Sequence, residues 1–510
     1  MSDNNPYSDY RTLGLRVSFQ MSDTAVNQTS FTFSATTTNS LFSDINQIVD
    51  EISVMSGKFA TNEQNYGWKL DGTYNLISEN GENGELGWWA NTRAASSGSY
   101  STTQWIRINM SIPLHSQTIT VVFDQNTNVY AKDFDVEVYN SSLSLVQTIN
   151  VRDNNLPVAV VEMPDVDYKR IRIGIKKMNQ GYRMARVTEV LFGAVTFFTD
   201  DDVSEIRLQY ETSLMSDSLP SNMAEITINN LDRRYNINNP AGIYKYLQEG
   251  QAINVALIVN NQYYNMGLFY FVKAESEENS MLAKITGYDK FYVLDTIPCN
   301  IGATGTWTVT QAVEAVIEAS GQKIDYSIPT AIGSLTINKC IPENTTCREA
   351  LRLIAQAAKC VCFFDKINVL RFINPTTITG GDVLNADRML KYPVITDTGL
   401  INNVELTVRN DFDDTENTYT ANDRRGTEPL LSMSVDNPLV YDGQGVADWI
   451  LQMCKYRMGY DIGDRGNPSR NCPDKINVTD GFGNSKDVIS LSQEYNMRIG
   501  LNSRIKGVSQ

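Results

Sequence analysis

Residues 206–289 constrain the fold more than any other part of the chain, because they form a series of short apolar alternations separated by turn residues. Ile226 and Ile228 alternate with polar neighbours, as on a strand with one buried face. Asn229–Asn230 ends that alternation, and Asn260–Asn261 turns the chain back after a second one. The pattern predicts a small β-barrel, and no residue within it has the setting of a catalytic group.

Length and composition indicate a large protein of several domains. The 510 residues correspond to roughly three or four domains of ordinary size. Apolar residues make up 42% of the chain, enough for several cores, and no apolar run approaches the ~20 residues of a spanning helix. The first 13 residues have neither a basic nor an apolar segment of the secretory kind, so we expect synthesis and assembly in a cytoplasm.

The residues of common active sites are scarce. His115 is the one histidine of the sequence and stands in a loop before a strand, so it is read as a surface residue. The cysteines have neither metal-ligand nor disulfide-framework spacing and are expected to be buried thiols: Cys299, Cys340, Cys347, Cys360, Cys362, Cys454 and Cys472. Acidic runs such as 200–202 and 411–414 are typical of solvated turns. We therefore predict no enzyme activity, no metal and no cofactor.

The first part of the chain predicts a strand, a helix and a β-sandwich. Residues 1–57 contain a strand at 13–19 and an apolar helical stripe at 41–55 that ends at Gly57. Residues 58–195 follow with at least five segments of period-two alternation, which suits an antiparallel sandwich with one solvated face. Since this sandwich lies between strands of the first barrel, it is predicted to be an insertion whose ends, near Phe19 and Ile206, are adjacent.

The sandwich resembles the discoidin or galactose-binding-like jelly roll. The resemblance rests on the segments GWWA, TITVVFD, DFDVEVYNSSLSLVQTINV and RVTEVLFG. It implies that loops at one end bind sugars or lipids, which makes Tyr66, Trp68, Trp88 and Trp89 candidate glycan-stacking residues. The alternative is that these aromatic rings fill the ends of the sandwich core.

Residues 196–300 are predicted to form the first barrel. After them, the apolar residues change to helical spacing. In 301–394, Thr308 with Gln311 and Thr346 with Glu349 have the spacing of helix capping boxes. A hairpin with its turn near 365–366 follows the second helix, so an α+β region is predicted. Residues 395–510 return to strands, with one helical stripe at 446–458, and predict a second barrel.

The whole pattern resembles the baseplate or tail hub proteins of tailed bacteriophages and related contractile injection particles. The resemblance rests on the strand and turn order of 206–289, on the segment TTCREAL at 345–351 with its following hairpin, and on the strands of 467–491. It implies a mainly β, multi-domain virion protein with hub-type barrels, a small α+β region and the inserted sandwich. It further implies a trimeric ring in the virion tail, assembled in the bacterial cytoplasm, whose partners are tail-tube, distal-tail and spike or fibre proteins.

Two functions remain open from the sequence. The first is this structural hub, with a possible glycan contact through the inserted sandwich. The second is a secreted carbohydrate-binding or carbohydrate-active protein, which would need two carboxylates across a cleft and commonly a βα repeat that this chain does not show. The formal net charge of −16 disfavours DNA binding by phosphate neutralisation, and an acidic tube wall or ordinary solubility would each explain it.

Overall fold

The computed structural model shows a mainly β, multi-domain fold, which confirms the predicted fold class. It describes the following residues: 6–7, 11–22, 26, 29–38, 44–49, 60–61, 63, 87–116, 118–125, 127–231, 233, 235–236, 238–239, 247, 249–260, 262–277, 280–301, 305–410, 415–498 and 500–510.

The strands are numbered in chain order. The first twelve are β1 Leu13–Ser22, β2 Phe31–Ala35, β3 Trp88–Arg93, β4 Ser99–Leu114, β5 Thr118–Val122, β6 Ala131–Asn140, β7 Leu145–Val151, β8 Val158–Glu162, β9 Tyr168–Met178, β10 Met184–Val187, β11 Glu189–Leu191 and β12 Gly193–Thr199. The next eight are β13 Val203–Glu211, β14 Met223–Asn229, β15 Ala252–Val259, β16 Gln262–Glu275, β17 Leu282–Tyr288, β18 Thr306–Thr308, β19 Asp325–Ser327 and β20 Thr336–Asn338. The remainder are β21 Val361–Phe364, β22 Val369–Ile373, β23 Asp382–Leu384, β24 Val394–Asp397, β25 Asn403–Asn410, β26 Thr415–Asn422, β27 Ser432–Asp436, β28 Met458–Asp464, β29 Lys475–Thr479, β30 Ser485–Met497 and β31 Leu501–Ser509.

The helices are short. They are α1 Lys290–Asp295, α2 Val309–Ser320, α3 Thr330–Gly333, α4 Cys347–Ala357 and α5 Gly443–Met453, with 3-10 turns at Ile45–Val49 and Pro375–Thr377. The predicted helix over 41–55 is represented in the described residues by the turn Ile45–Val49, and the rest of that prediction lies outside them.

The helix-start predictions are correct for α2 and half correct for α4. Thr308 and Gln311 form a reciprocal capping box at α2, which ends at Gly321 with a φ of 62°. At α4 the Thr346 hydroxyl accepts from the backbone N–H of Glu349 at 3.2 Å, as predicted. The Glu349 carboxylate instead accepts from the Arg352 guanidinium at 2.8 Å, because an ion pair one turn away competes for it.

The last helix is displaced from its predicted stripe. The α5 helix begins after Asp442, whose carboxylate accepts from the backbone N–H of Gly445 at 3.1 Å. It ends at Met453, and Met458, which was predicted to extend the apolar stripe, begins strand β28. The apolar spacing therefore continued across a helix-to-strand boundary that periodicity alone does not mark.

The chain divides into two compact units. Unit 1 comprises 1–16, 198–245 and 255–510, and unit 2 comprises 17–197 and 246–254. The predicted sandwich, 58–195, lies within the sequence of unit 2. Strand β1 is the neighbour of β12 in the sheet order, and within unit 1 the Leu15 backbone N–H donates to the Asp200 carboxylate. Strand β13, which contains Ile206, lies farther along the same sheet, with β14 and β30 as its neighbours. The prediction that Phe19 and Ile206 lie on adjacent strands is therefore wrong, because β12 and not β13 pairs with β1.

Unit 2 contains an antiparallel sandwich. A five-stranded sheet has the order β2-β4-β9-β6-β7, and a three-stranded sheet has the order β11-β5-β8. Ile108 and Val136 of the first sheet share one apolar core with Val121 and Val161 of the second. Buried and less buried residues alternate along β6, as period-two spacing requires of a strand with one face in the core.

Unit 1 is organised by one long sheet that joins the two predicted barrels. The strand order is β12-β1-β15-β16-β17-β14-β13-β30-β31-β28-β24, with β29 paired to β30 and β23 paired to β29. The connection is the antiparallel pair β13–β30, which runs in register from Ile206↔Met497 to Glu211↔Ser492. We call this pair the seam. The α+β region lies between these strands in sequence, and its helices α2 and α4 share a large core with α5 and β25.

Candidate functional site

Trp88 and Trp89, predicted as candidate glycan-stacking residues, lie in the interior of unit 2. Trp88 has no exposed surface, and its indole N–H donates to the Thr37 carbonyl at 2.7 Å. Trp89 is 2% exposed, and the Arg186 guanidinium lies 3.7 Å from its ring centre. Stacking on a sugar requires an open ring face, so the assignment of these two residues to a glycan platform is wrong, and the alternative of core aromatic rings is correct for them.

A buried ionic cluster contacts Trp89 through Arg186. The Glu63 carboxylate accepts from Arg186 at 2.7 Å and from Arg183 at 2.8 Å, and Arg186 also donates to Asp124 at 2.5 Å. Burial alone would raise the pKa of Glu63, but the charge of Arg186 and the backbone N–H of Met184 hold that pKa below its ordinary value. The partners are buried together, so the cluster offers no open binding surface, and removal of one partner would leave another charge uncompensated in the interior.

The other two predicted stacking residues, Tyr66 and Trp68, lie outside the described residues.

His115 lies in a carboxylate environment on the surface of unit 2. Its Nε2 is 3.1 Å from Asp165, and its Nδ1 is 3.0 Å from Asp167. The side chain is about half exposed, as the surface reading of this residue predicted. A catalytic base needs an oriented nucleophile within hydrogen-bond distance, and the contacts of this ring are to two carboxylates.

All seven cysteines are buried and lie outside disulfide bonds, in agreement with the sequence prediction. Among the described residues, no group of three or more His, Cys, Asp or Glu side chains has the arrangement of a metal site. In the same part of the chain, no helix has the length and apolar character needed to cross a membrane.

Unit 1 contains a second buried ionic cluster, next to the seam. The Arg470 guanidinium donates to Asp464 at 2.5 Å and to the Ser503 hydroxyl at 2.9 Å, and it lies 3.4 Å from Asp382. Burial opposes the charge of this guanidinium, but the carboxylates, chiefly Asp464, keep its pKa above the ordinary range. Arg470 is therefore a permanent cation inside unit 1.

Lys366 brings a second cation to the same region. It lies in the turn between β21 and β22, and its ammonium donates to the carbonyls of Pro468 at 2.7 Å and Arg470 at 2.5 Å. The rings of Tyr210 from β13 and Tyr495 from β30 lie 5.3 and 5.0 Å from it. Burial, with repulsion from Arg470, lowers the pKa of Lys366 to about 7. Lys366 therefore connects the α+β hairpin to both strands of the seam.

The Arg470 cluster and the Lys366 site beside it have no access for a substrate. Lys366 is 9% exposed, Arg470 2%, and Asp464 has no exposed surface. Their hydrogen bonds run between separate segments of unit 1, including β28, β31 and the loop before β29. These bonds hold separate segments of unit 1 together beside the seam, and neither the Arg470 cluster nor the Lys366 site was predicted from the sequence.

Unit 1 also contains an open cleft of about 590 Å³ between α4 and β27. We call it the α4–β27 cleft. Its charged lining residues are Asp217, Asp295, Arg348, Glu349, Arg352 and Asp436. Arg348 and Glu349 belong to the segment 345–351, on which the resemblance to hub proteins partly rests. The cleft is open and partly polar.

Comparisons with known proteins give similar solved structures at low identity. No known protein family and no curated protein matches the chain. The tail protein from Neisseria meningitidis MC58 is 11% identical with a TM-score of 0.44, covering 61% of this chain and 93% of that chain. The prophage MuSo2 43 kDa tail protein from Shewanella oneidensis is 14% identical with a TM-score of 0.45, covering 62% and 94%. The family 32 carbohydrate-binding module of NanJ from C. perfringens, solved with galactose, is 12% identical with a TM-score of 0.20, covering 36% and 99%.

Proposed function

We propose that this chain is a structural protein of a phage-type tail, a hub that closes the end of the tail tube and carries the spike or fibres. The observation that supports the proposal is the seam, in which β13 and β30 join two strand-rich regions in register. A continuous sheet backed by buried ion pairs makes a rigid body, which a load-bearing junction requires. Its assembly would take place in the bacterial cytoplasm, and its partners would be tail-tube, distal-tail and spike or fibre proteins.

The proposed assembly is a closed ring of three chains. A chain with two similar strand-rich regions presents two comparable surfaces, so three chains match a sixfold tube. The formal net charge of −16 gives such a ring little attraction for passing DNA, since retention on DNA depends on neutralising phosphates.

We further propose that the chain has no hydrolase activity. His115 contacts two carboxylates, and the cysteines are buried, so the described residues supply no activated nucleophile. Zymography on peptidoglycan and common glycans tests this directly. A lytic band that disappears on substitution of a single Asp or Glu would contradict it.

Two of the four candidate residues for the competing function, a carbohydrate-binding or carbohydrate-active protein, are buried. Trp88 and Trp89 are interior residues, and Tyr66 and Trp68 lie outside the described part of the chain. The hub therefore remains the proposed function.

Electron microscopy of the purified chain tests the hub directly. Negative-stain class averages should show rings with threefold symmetry and a central opening. Images that show only monomers without symmetry, at concentrations where the protein is soluble and folded, would contradict the proposal. A second experiment adds a purified tail-tube protein to the chain before imaging. The rings should then appear at the ends of the tubes.

A further inference from the structure

The outer edge of strand β27 carries main-chain groups that no described strand uses. The small sheet has the order β26-β25-β27, which leaves β27 at one side. Pairing with β25 is parallel, from Asn403↔Ser432 to Thr407↔Asp436. The Leu431 carbonyl accepts from Asn403 at 3.3 Å, and the Asn437 N–H donates to Thr407 at 3.0 Å.

The pairing pattern fixes which residues of β27 face outward. In a parallel pair, alternate residues of a strand direct both N–H and C=O to the same neighbour. Since 431 and 437 bond to β25, the alternate positions Ser432, Ser434 and Asp436 direct theirs away from it. All three residues are exposed. This edge is therefore open to a further strand within the described part of unit 1.

The open edge borders the α4–β27 cleft, whose lining includes Ser434 and Asp436. Helix α4 forms the facing wall with Arg348, Glu349 and Arg352. Strand β27 has five residues, so at ~3.3 Å per residue it offers roughly 16 Å of edge. The cleft volume of about 590 Å³ is comparable with that of small-ligand pockets, so the cleft can receive side chains of a bound segment.

The charges of the cleft select a basic occupant. Arg348 donates to Asp295 at 3.2 Å and to the Leu219 carbonyl at 2.6 Å, while Arg352 donates to Glu349 at 2.8 Å. Both guanidiniums are thereby engaged within the chain. Asp217 and Asp436 have no ion pair to any residue that the structure describes. Four carboxylates against two engaged guanidiniums leave an acidic cleft, which favours lysine or arginine side chains.

We propose that the α4–β27 cleft binds an extended, basic segment of a partner protein, which adds to β27 as a further strand. Main-chain bonds at Ser434 supply affinity, and the carboxylates of Asp217 and Asp436 select lysine or arginine at positions facing them. A segment of another protein fits better than a second copy, since this chain carries a formal net charge of −16. The inference is separate from the hub, because any folded form of unit 1 presents the same edge.

The experiment uses the full chain and a fluorescent peptide, acetyl-Lys-Val-Lys-Thr-Lys-Val-amide, in a polarisation titration at low salt. A peptide with glutamate in place of lysine is its charge control. Ser434→Pro removes one outward N–H, and Ser434→Ala, which keeps that N–H, is the matched control. Asp436→Lys reverses a cleft charge, and Glu318→Lys makes the same change on the exposed face of α2. Thermal unfolding of every variant establishes that it is folded.

We expect the lysine peptide to bind in the micromolar range and the glutamate peptide not to bind. Ser434→Pro should weaken binding about five- to tenfold, as loss of one main-chain hydrogen bond implies, and Ser434→Ala should leave it unchanged. Asp436→Lys should weaken it at least tenfold, and Glu318→Lys less than twofold. Absence of binding up to 1 mM, or equal losses for both charge reversals, would overturn the proposal. So would a fall in oligomer mass on Asp436→Lys, which would assign the cleft to contacts between copies.

Discussion

Lys366 is a buried ammonium whose hydrogen-bond partners are carbonyls and whose pKa is lowered to about 7 by burial and by Arg470. The unfolded chain keeps an ordinary lysine pKa of about 10.4. Between pH 7 and 10 the unfolded state therefore binds more protons than the folded state, so raising the pH through this window stabilises the fold through this group. Below pH 7 the full cost of the buried charge is present.

We predict that Lys366→Met removes this pH dependence. The difference in free energy of unfolding between wild type and variant should shift in favour of wild type by about 1 kcal/mol per pH unit between pH 7 and 9. Urea unfolding at several pH values measures it, and taking the difference cancels the titration of other groups. A difference that does not vary with pH would show that Lys366 has an ordinary pKa in the folded protein.

Asp464 and Asp461 allow a matched comparison of buried and exposed ion pairs on one strand, β28. Asp464 has no exposed side-chain surface and pairs with Arg470, whereas Asp461 is 29% exposed and pairs with Arg504. We predict that Asp464→Asn lowers the free energy of unfolding by about 3 kcal/mol, because it leaves a buried guanidinium short of charge compensation. Asp461→Asn should lower it by less than about 1 kcal/mol. Equal losses of unfolding free energy in the two variants, measured by urea unfolding, would contradict the conclusion that the buried partner of Arg470 contributes more to the stability of unit 1 than an exposed ion pair does.

At the scale of elements, α2 is the clearest case of local sequence deciding structure. The Thr308 hydroxyl accepts from the Gln311 N–H at 3.3 Å, and the Gln311 side chain accepts from the Thr308 N–H at 3.0 Å. We predict that Thr308→Ala destabilises the helix by about 1 kcal/mol. Hydrogen exchange of the α2 amides should accelerate roughly fivefold, while Thr306→Ala in β18 should leave it unchanged. Unaltered α2 exchange in Thr308→Ala would show that tertiary packing alone sets the start of this helix.

The elements that the sequence predicted are those with local signals. The α2 box and the turn after β21 follow from residues close together in the chain. The seam could not be predicted, because it pairs Ile206 with Met497 and no local spacing encodes a partner so distant. The same holds for the two ionic clusters. Charged residues such as Glu63, Arg186 and Lys366 are usually found on the surface, so nothing local in the sequence predicts their burial. They become interior only through tertiary contacts, such as the bond from Arg186 to Glu63 and the bond from Lys366 to the Pro468 carbonyl.

Trp88 and Trp89 show why two of the four predicted glycan-stacking residues are wrong. Sequence indicates that a Trp is large and amphipathic, but the direction of its ring depends on which face of the strand meets the core. Strand β3 pairs with β10, and both rings are buried there. The signal that could have placed them inside is the adjacent run of small and apolar residues at 87–90, which is typical of a fully buried strand.

At the scale of the whole molecule, the insertion can be tested by removal. Strands β1 and β12 are sheet neighbours, and the bond from Leu15 to Asp200 indicates that the start of β1 lies beside the end of β12. We predict that replacing residues 23–192 by a short Gly/Ser turn leaves unit 1 folded and its oligomeric state unchanged, because insertions are tolerated where chain ends are close. Size-exclusion chromatography with light scattering measures this. Aggregation of the shortened chain would show that unit 1 depends on the inserted residues.

The measurement that tests the central claim most directly is the native mass of the purified full-length chain over a micromolar concentration range. A structural ring of three chains predicts one dominant species at three times the 57.1 kDa chain mass. That species should persist on dilution to the low micromolar range, as expected for a closed symmetric assembly. A single species at 57.1 kDa across the whole range, from protein that is folded by thermal unfolding, would contradict the account.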